Sequence, residues 1–244
     1  MRCRLCGQER KLIKAHIIPE AFFRPLRSGP IVPELHTNTE GAHPKRSPIG
    51  IYDKKILCVE CDARFAPRDD HAQQVLIRRF SEKLALFSGS EKVGYKILDL
   101  DYKLLKLFFL GLLWRASVST QPFYRRISLG PYENILRTMI LANNPGRAEE
   151  FAVTLAKFSN PELTAMLDPH PNKFEGINYC QFYITGFVAY IKVDRRPVPL
   201  FLKDFLITQS PPIVVLLRDL DGSRDGAIMK EIAGNAIRKG IPKK

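Results

Sequence analysis

The sequence predicts an α+β protein: a small N-terminal finger organised by cysteines, followed by a larger domain of helices and antiparallel sheet. Three observations predict it. Four of the five cysteines fall into two pairs, Cys3-x-x-Cys6 and Cys58-x-x-Cys61. The run from Leu104 to Val118 is almost wholly apolar and has the length of a core helix. From Asn178 to Val193 the chain is rich in Tyr, Phe, Ile and Val, the composition of strands.

Two residues between cysteines let a tight knuckle aim both thiolates at one ion, and four thiolates close a tetrahedral shell. Cys3, Cys6, Cys58 and Cys61 are therefore expected to hold structural zinc. Cys180, beside Tyr179 and Phe182, reads as a small buried core residue. The 51 residues from Gly7 to Leu57 exceed the roughly 12–20 that separate the pairs of a compact finger. Something is inserted between the knuckles.

That insertion begins with Lys11 to Pro19, which reads as a short strand carrying His16. Glu20 to Leu26 is short and amphipathic. Arg27 to Pro48 is rich in Pro, Gly, Ser and Thr and reads as a loop, with His36 and His43 as solvated residues. Ile49 to Cys58 leads into the second knuckle. From Asp62 to Phe80 the pattern is mostly helical, with a fresh start near Pro67. A boundary near residue 80 divides the finger (1–80) from the larger domain (81–244). In the latter, strands are expected over Val93–Leu100, Phe201–Ile207 and Ile213–Leu217, with one or two more around Gly186. Helices are expected over Leu104–Val118, Gly130–Asn143 and Ala227–Arg238, while Phe151–Phe158 is ambiguous.

Composition narrows the function. The chain has 244 residues, 45% hydrophobic and 26% charged, ordinary values for a globular protein. Its formal net charge of +13 is not ordinary, and attracts polyanions, of which nucleic acid is the commonest. The excess is spread: residues 1–80 hold 15 basic and 9 acidic side chains, the remainder 23 and 16, so a nucleic-acid surface can span both parts. Trp114-Arg115 and Phe123 to Arg126 offer stacking and phosphate contacts, against a plainer reading of Trp114 as core and Arg125-Arg126 as a solvated loop. No run of about 18 apolar residues suggests a membrane span. Met1 to Lys14 is charged throughout, unlike a secretory leader, and five cysteines do not make a disulfide scaffold. A cytoplasmic location is expected.

Cys-x-x-Cys, then His16-Ile17-Ile18-Pro19 on a strand, then a polar residue five before a second Cys-x-x-Cys, then a helix: over roughly Met1 to Phe80 this resembles the HNH endonuclease family. The resemblance implies a ββα finger of treble-clef type held by structural zinc, with a separate catalytic ion, Mg²⁺ or Mn²⁺, between hairpin and helix. It places His16 as general base, a task that suits an imidazole whose ordinary pKa of about 6.5 lets it accept a proton near neutrality. Asp53 stands where the family usually has Asn, and can position His16 or bind the catalytic metal. Asp62, directly after Cys61, stands where the family often has a metal-binding His. Ala15 occupies a position where Asp often binds the metal, and cannot. His71 is a weaker candidate, because nine residues from Asp62 put it on the opposite face of an unbroken helix.

Each residue has a structural alternative: His16 as a hydrogen-bonding residue, Asp62 as a helix N-cap, Asp53 as a turn residue. The function implied is a metal-dependent endonuclease hydrolysing phosphodiester bonds, DNA ahead of RNA, of a kind that serves as a defence or toxin effector. The rival is a non-catalytic zinc-binding module that recognises nucleic acid or a protein. Nothing in the sequence fixes the oligomeric state.

Overall fold

The computed structural model describes residues 1–26, 49–160, 167–219 and 226–227, together with the backbone pairing of 34–35 and 45–46. His36, His43 and nearly all of the helix expected over Ala227–Arg238 lie outside the described residues.

The protein is a mixed α+β fold organised around one helix, α3 (Tyr102–Val118). Asp101 caps it, its side chain accepting from the Leu104 amide at 2.9 Å, and 14 of its 17 residues are buried. A helix apolar on every side must be covered on every side. A seven-stranded sheet covers one flank, in the order β5 (Ala85–Ser88), β6 (Glu91–Ile97), β11 (Ile213–Arg218), β7 (Val153–Phe158), β10 (Phe187–Lys192), β9 (Ile177–Ile184), β8 (His170–Phe174). The N-terminal unit and α4 (Tyr132–Leu141) cover others. One buried cluster accordingly runs from Cys3, Ile17 and Phe22 through Phe108 and Leu112 to Phe182, Ala189 and Val215. A second, rich in tyrosine (Tyr179, Tyr183, Tyr190), lies on the other face of the sheet.

Most elements of the larger part fall where the residue pattern puts them. Val93–Leu100 corresponds to β6, the ambiguous segment Phe151–Phe158 is β7, and Asn178–Val193 is the β9–β10 pair. Cys180 lies buried on β9. Three expectations differ. Phe201–Ile207 is not a strand: Leu200–Phe205 forms 3₁₀ turns after Pro199, with Leu202 buried and Leu200 and Phe201 exposed, an i, i+3 division that a strand would not give. The sheet is not wholly antiparallel, since β11 runs parallel to β7 (Val215 opposite Leu155) while its other pairings are antiparallel. Lys11–Pro19 is a strand over two residues only, Ala15 and His16, with a separate antiparallel bridge from Leu12 to Cys58.

In the N-terminal unit, β1 (Ala15–His16) pairs antiparallel with β4 (Tyr52–Asp53), and β2 (Glu34–Leu35) pairs with β3 (Lys45–Arg46) between them. Two short helices follow, α1 (Val59–Ala63) and α2 (Ala66–Gln73), the second with Pro67 in its first turn as the sequence suggests. Helix α2 packs on α3, and Phe65 sits against Gly111, where a Cβ would lie 2.8 Å from the ring. The small residue permits the close approach. Among the described residues no helix is long and apolar enough to cross a membrane.

Lys106 is the outlier of α3. It is fully buried and donates to the Ala148 carbonyl at 3.1 Å. Burial lowers its pKa to about 7, against the pull of Glu150 and Glu149 and with the help of Lys192. The folded state therefore binds this proton less well than the unfolded chain. Its contribution to stability rises with pH between about 7 and the ordinary lysine value, and is least favourable in acid. Lys106→Met should raise stability at pH 7 by about 1 kcal/mol or more and flatten the rise above pH 7. Urea unfolding of both proteins from pH 6 to 10 measures this; parallel pH curves would show that Lys106 stays charged in the fold.

Candidate metal centre and active site

The first knuckle closes because Gly7 takes a positive φ of 75° and returns its amide to the Cys3 carbonyl at 2.9 Å. Helix α1 starts at Cys58, whose amide donates to the Cys3 sulfur at 3.4 Å. Backbone bonds join the two halves: Arg4 N–H to the Ile56 carbonyl at 2.8 Å, and Ile13 N–H to Leu57 at 3.0 Å. Helix α4 supports the first knuckle from outside, Arg137 donating to the Leu5 carbonyl at 2.6 Å. As a result the sulfurs of Cys3, Cys6, Cys58 and Cys61 all lie within 4.8 Å of one another. In a tetrahedral shell with metal–sulfur bonds of about 2.3 Å the sulfurs stand about 3.8 Å apart, so this group is able to hold one metal ion.

Burial opposes ionisation of Cys3, yet amides of Cys6, Cys58 and Leu5 outweigh it and bring the thiol down to about 7. Burial, reinforced by the Cys58 and Cys3 sulfurs, pushes Cys61 up. Four crowded sulfurs do not carry four negative charges without a cation among them.

His16 and Asp62 are near enough for each charge to act on the other. Residues opposite one another on β1 and β4 share a face, and successive residues alternate. His16 is opposite Tyr52, and the two rings meet edge to face at 6.0 Å. The imidazole Nε2 is buried without a partner, and the Ile49 backbone favours the protonated ring. Burial lowers its pKa below the ordinary value; Glu20 and Asp62 pull the other way. Asp62, on α1 and half-buried, is raised by burial and by Asp69, against the opposing charges of Arg115 and His16. Asp62 is not an N-cap, since Cys58 and Phe65 occupy the positions that precede α1 and α2.

Asp53 is elsewhere. Paired with Ala15, it occupies the other face of the β1–β4 pair and is fully buried. Its carboxylate accepts from the Lys55 amide at 2.8 Å, the Ser119 hydroxyl at 3.0 Å, the Thr120 amide at 2.5 Å and the Thr120 hydroxyl at 2.9 Å. It ties β4 to the end of α3 and does not converge with His16 and Asp62. His71 is also apart: its Nε2 accepts from the Asp101 amide at 2.9 Å, at the start of α3.

Sequence reasoning missed Asp69 as a partner, and read Arg115 as a surface contact. Arg115 is 2% exposed and forms a fork with Asp69, Nη2 to Oδ1 at 2.9 Å and Nη1 to Oδ2 at 3.0 Å. Its Nη1 also donates to the His16 carbonyl at 3.2 Å. Burial raises the Asp69 carboxyl and the guanidinium opposes that. The signal was present in the sequence: a charge within an apolar core helix requires a buried partner. Trp114 is core, fully buried and stacked on Phe65.

Among the described residues the cysteine quartet is the one group of three or more ligating side chains within reach of a single ion. Comparisons with family profiles, with curated proteins and with solved structures return no match.

The two aspartates should behave differently. Asp53→Ala strands four donors and should cost about 2–4 kcal/mol. Asp62→Ala removes a half-buried carboxylate raised by burial and should cost under about 1 kcal/mol. Equal losses in urea unfolding would contradict this division.

Proposed function

We propose that the protein is a metal-dependent endonuclease of HNH type, with His16 as general base and the cysteine quartet as a structural zinc site. One observation carries the reading. His16 Nε2 is buried without a partner, and the ring is near enough to Asp62 for each charge to act on the other. The Ile49 backbone favours a proton on the ring, and with Nε2 unpartnered that proton belongs on Nδ1, which would leave Nε2 as the proton acceptor. The lowered pKa keeps that acceptor neutral at pH 7. The β1–β4 pair followed by α1 supports a ββα finger of treble-clef type.

In this reading His16 Nε2 takes a proton from a water molecule as its oxygen attacks phosphorus, and the P–O3′ bond breaks. Asp62 would hold Mg²⁺ or Mn²⁺, which when bound supplies positive charge for the phosphorane and the departing oxygen. A single carboxylate suffices, since Mg²⁺ commonly sits on one or two carboxylates and completes its shell with phosphate and water. Asp53 is a positioning residue in this reading, not a ligand. Four free thiols in a closed shell suit zinc, and reduced cysteines suit a cytoplasmic setting. The +13 charge favours nucleic acid as substrate, and the HNH resemblance puts DNA ahead of RNA.

A non-catalytic zinc module that binds nucleic acid or a protein is favoured by the two-residue count at His16 and Asp62, below the three ligands of a preformed metal site.

Elemental analysis should find one zinc per chain, lost with folding in Cys58→Ser and retained in His16→Ala and Asp62→Ala. Plasmid and RNA cleavage with EDTA, Mg²⁺ or Mn²⁺ separates the readings. His16→Ala should lose about 10²-fold or more, and added metal should partly rescue Asp62→Ala. Zinc-loaded, folded wild type that cuts nothing in any arm gives the binding module instead. Affinity for a DNA duplex should fall steeply between 50 and 200 mM salt; a flat response removes nucleic acid as partner.

A further inference from the structure

The geometry assigns to Arg115 the role of positioning residue for His16, so that the site is completed by α3, from outside the finger. This assignment rests on the reading of His16 as a base.

The β1–β4 ladder has two residue pairs, Ala15 with Asp53 and His16 with Tyr52. The Ile17 amide to the Ile51 carbonyl at 3.4 Å, the Ile13 amide to the Leu57 carbonyl at 3.0 Å and the Leu12–Cys58 bridge extend the pairing and set its register, while its tilt depends on what packs against it. The last turn of α3 holds both strands. Ser119 and Thr120 take the Asp53 carboxylate on β4, and Arg115, one turn earlier, takes the His16 carbonyl on β1. The same guanidinium forks onto Asp69 at the start of α2 and lies 4.6 Å over the ring of Phe65, three residues after Asp62. One planar cation thus touches the strand that bears the base, the helix beyond the carboxylate, and the turn between them. Lysine offers no such fork and does not span both partners. Releasing the His16 carbonyl lets the backbone relax, and the ring then shifts relative to the Ile49 backbone and loses the preference for a proton on Nδ1 that leaves Nε2 as acceptor.

The Arg115→Met/Asp69→Leu double variant tests this by removing both members of the fork together, while buried Arg68 keeps its bonds to the Ile140 carbonyl and the Asn143 side chain. Replacing both members of a buried ion pair by apolar residues is often neutral or stabilising, so the protein should keep its fold and zinc. Arg115→Lys is the conservative control. With ¹⁵N-histidine label, wild-type His16 should show one tautomer, protonated at Nδ1, and the double variant a mixture of both. Single-turnover cleavage should fall at least ~30-fold in kcat with KM unchanged, and Arg115→Lys should recover only part of it. A zinc-loaded double variant with the wild-type tautomer spectrum overturns the assignment, as does a loss confined to KM. If wild type cuts nothing, the nuclease reading fails, while the tautomer spectrum still decides whether Arg115 positions His16.

Discussion

A buried guanidinium sets the terms for this fold. Arg115 is 2% exposed in the interior of an α+β protein, and a cation there costs several kcal/mol unless its donors are met. Its two terminal nitrogens are met, by Asp69 and by the His16 carbonyl. Both partners belong to the N-terminal unit, so α3 cannot be buried without bringing β1 and α2 against it. Phe65 and Gly111 make that approach close, and Trp114 stacks on the same ring. The sheet closes α3 from another flank, and one core cluster joins all of it. Packing in the larger part and geometry in the smaller part are therefore one problem with one solution.

The cysteine quartet solves a different problem. The two knuckles are separated by 51 residues, and closing a loop of that length carries an entropic cost that a two-residue ladder does not offset. Four sulfurs within 4.8 Å are the means of closure, and a metal held there contributes folding free energy directly. Division of labour follows. The quartet fixes the ends of the unit, Asp53 fixes β4 on α3, and the His16 Nε2 is left without a partner. A polar group buried without a partner calls for an explanation, and the unpartnered Nε2 of His16 belongs to a ring that feels the Asp62 charge.

Much of this was legible in the residues. The Cys-x-x-Cys pairs named the quartet because spacing alone constrains a knuckle. The α3 span was legible because an apolar run of that length with Asp101 before it has few other readings. Asp53 was legible as important but not as to role: the period-two alternation of a strand puts it opposite Ala15, on the face away from His16, and that register depends on pairing with a segment 37 residues earlier. Residues 201–207 misled because Phe, Leu and Ile suit strands and short turns alike, and Pro199 decided it. The parallel β7–β11 pair, and the ion pair between Asp69 and Arg115, depend on contacts between distant segments that no local pattern encodes.

If His16 and Asp62 share a site for a divalent cation and a phosphate, their neighbourhood should respond to a paramagnetic ion. The direct measurement is the ¹⁵N-histidine spectrum of the zinc-loaded protein during titration with Mn²⁺ and a short DNA duplex, in a chain with only five histidines. Selective broadening of His16 at substoichiometric Mn²⁺, abolished by Asp62→Ala, is the predicted result. Broadening that spares His16, or that persists unchanged without the Asp62 carboxylate, would contradict the account.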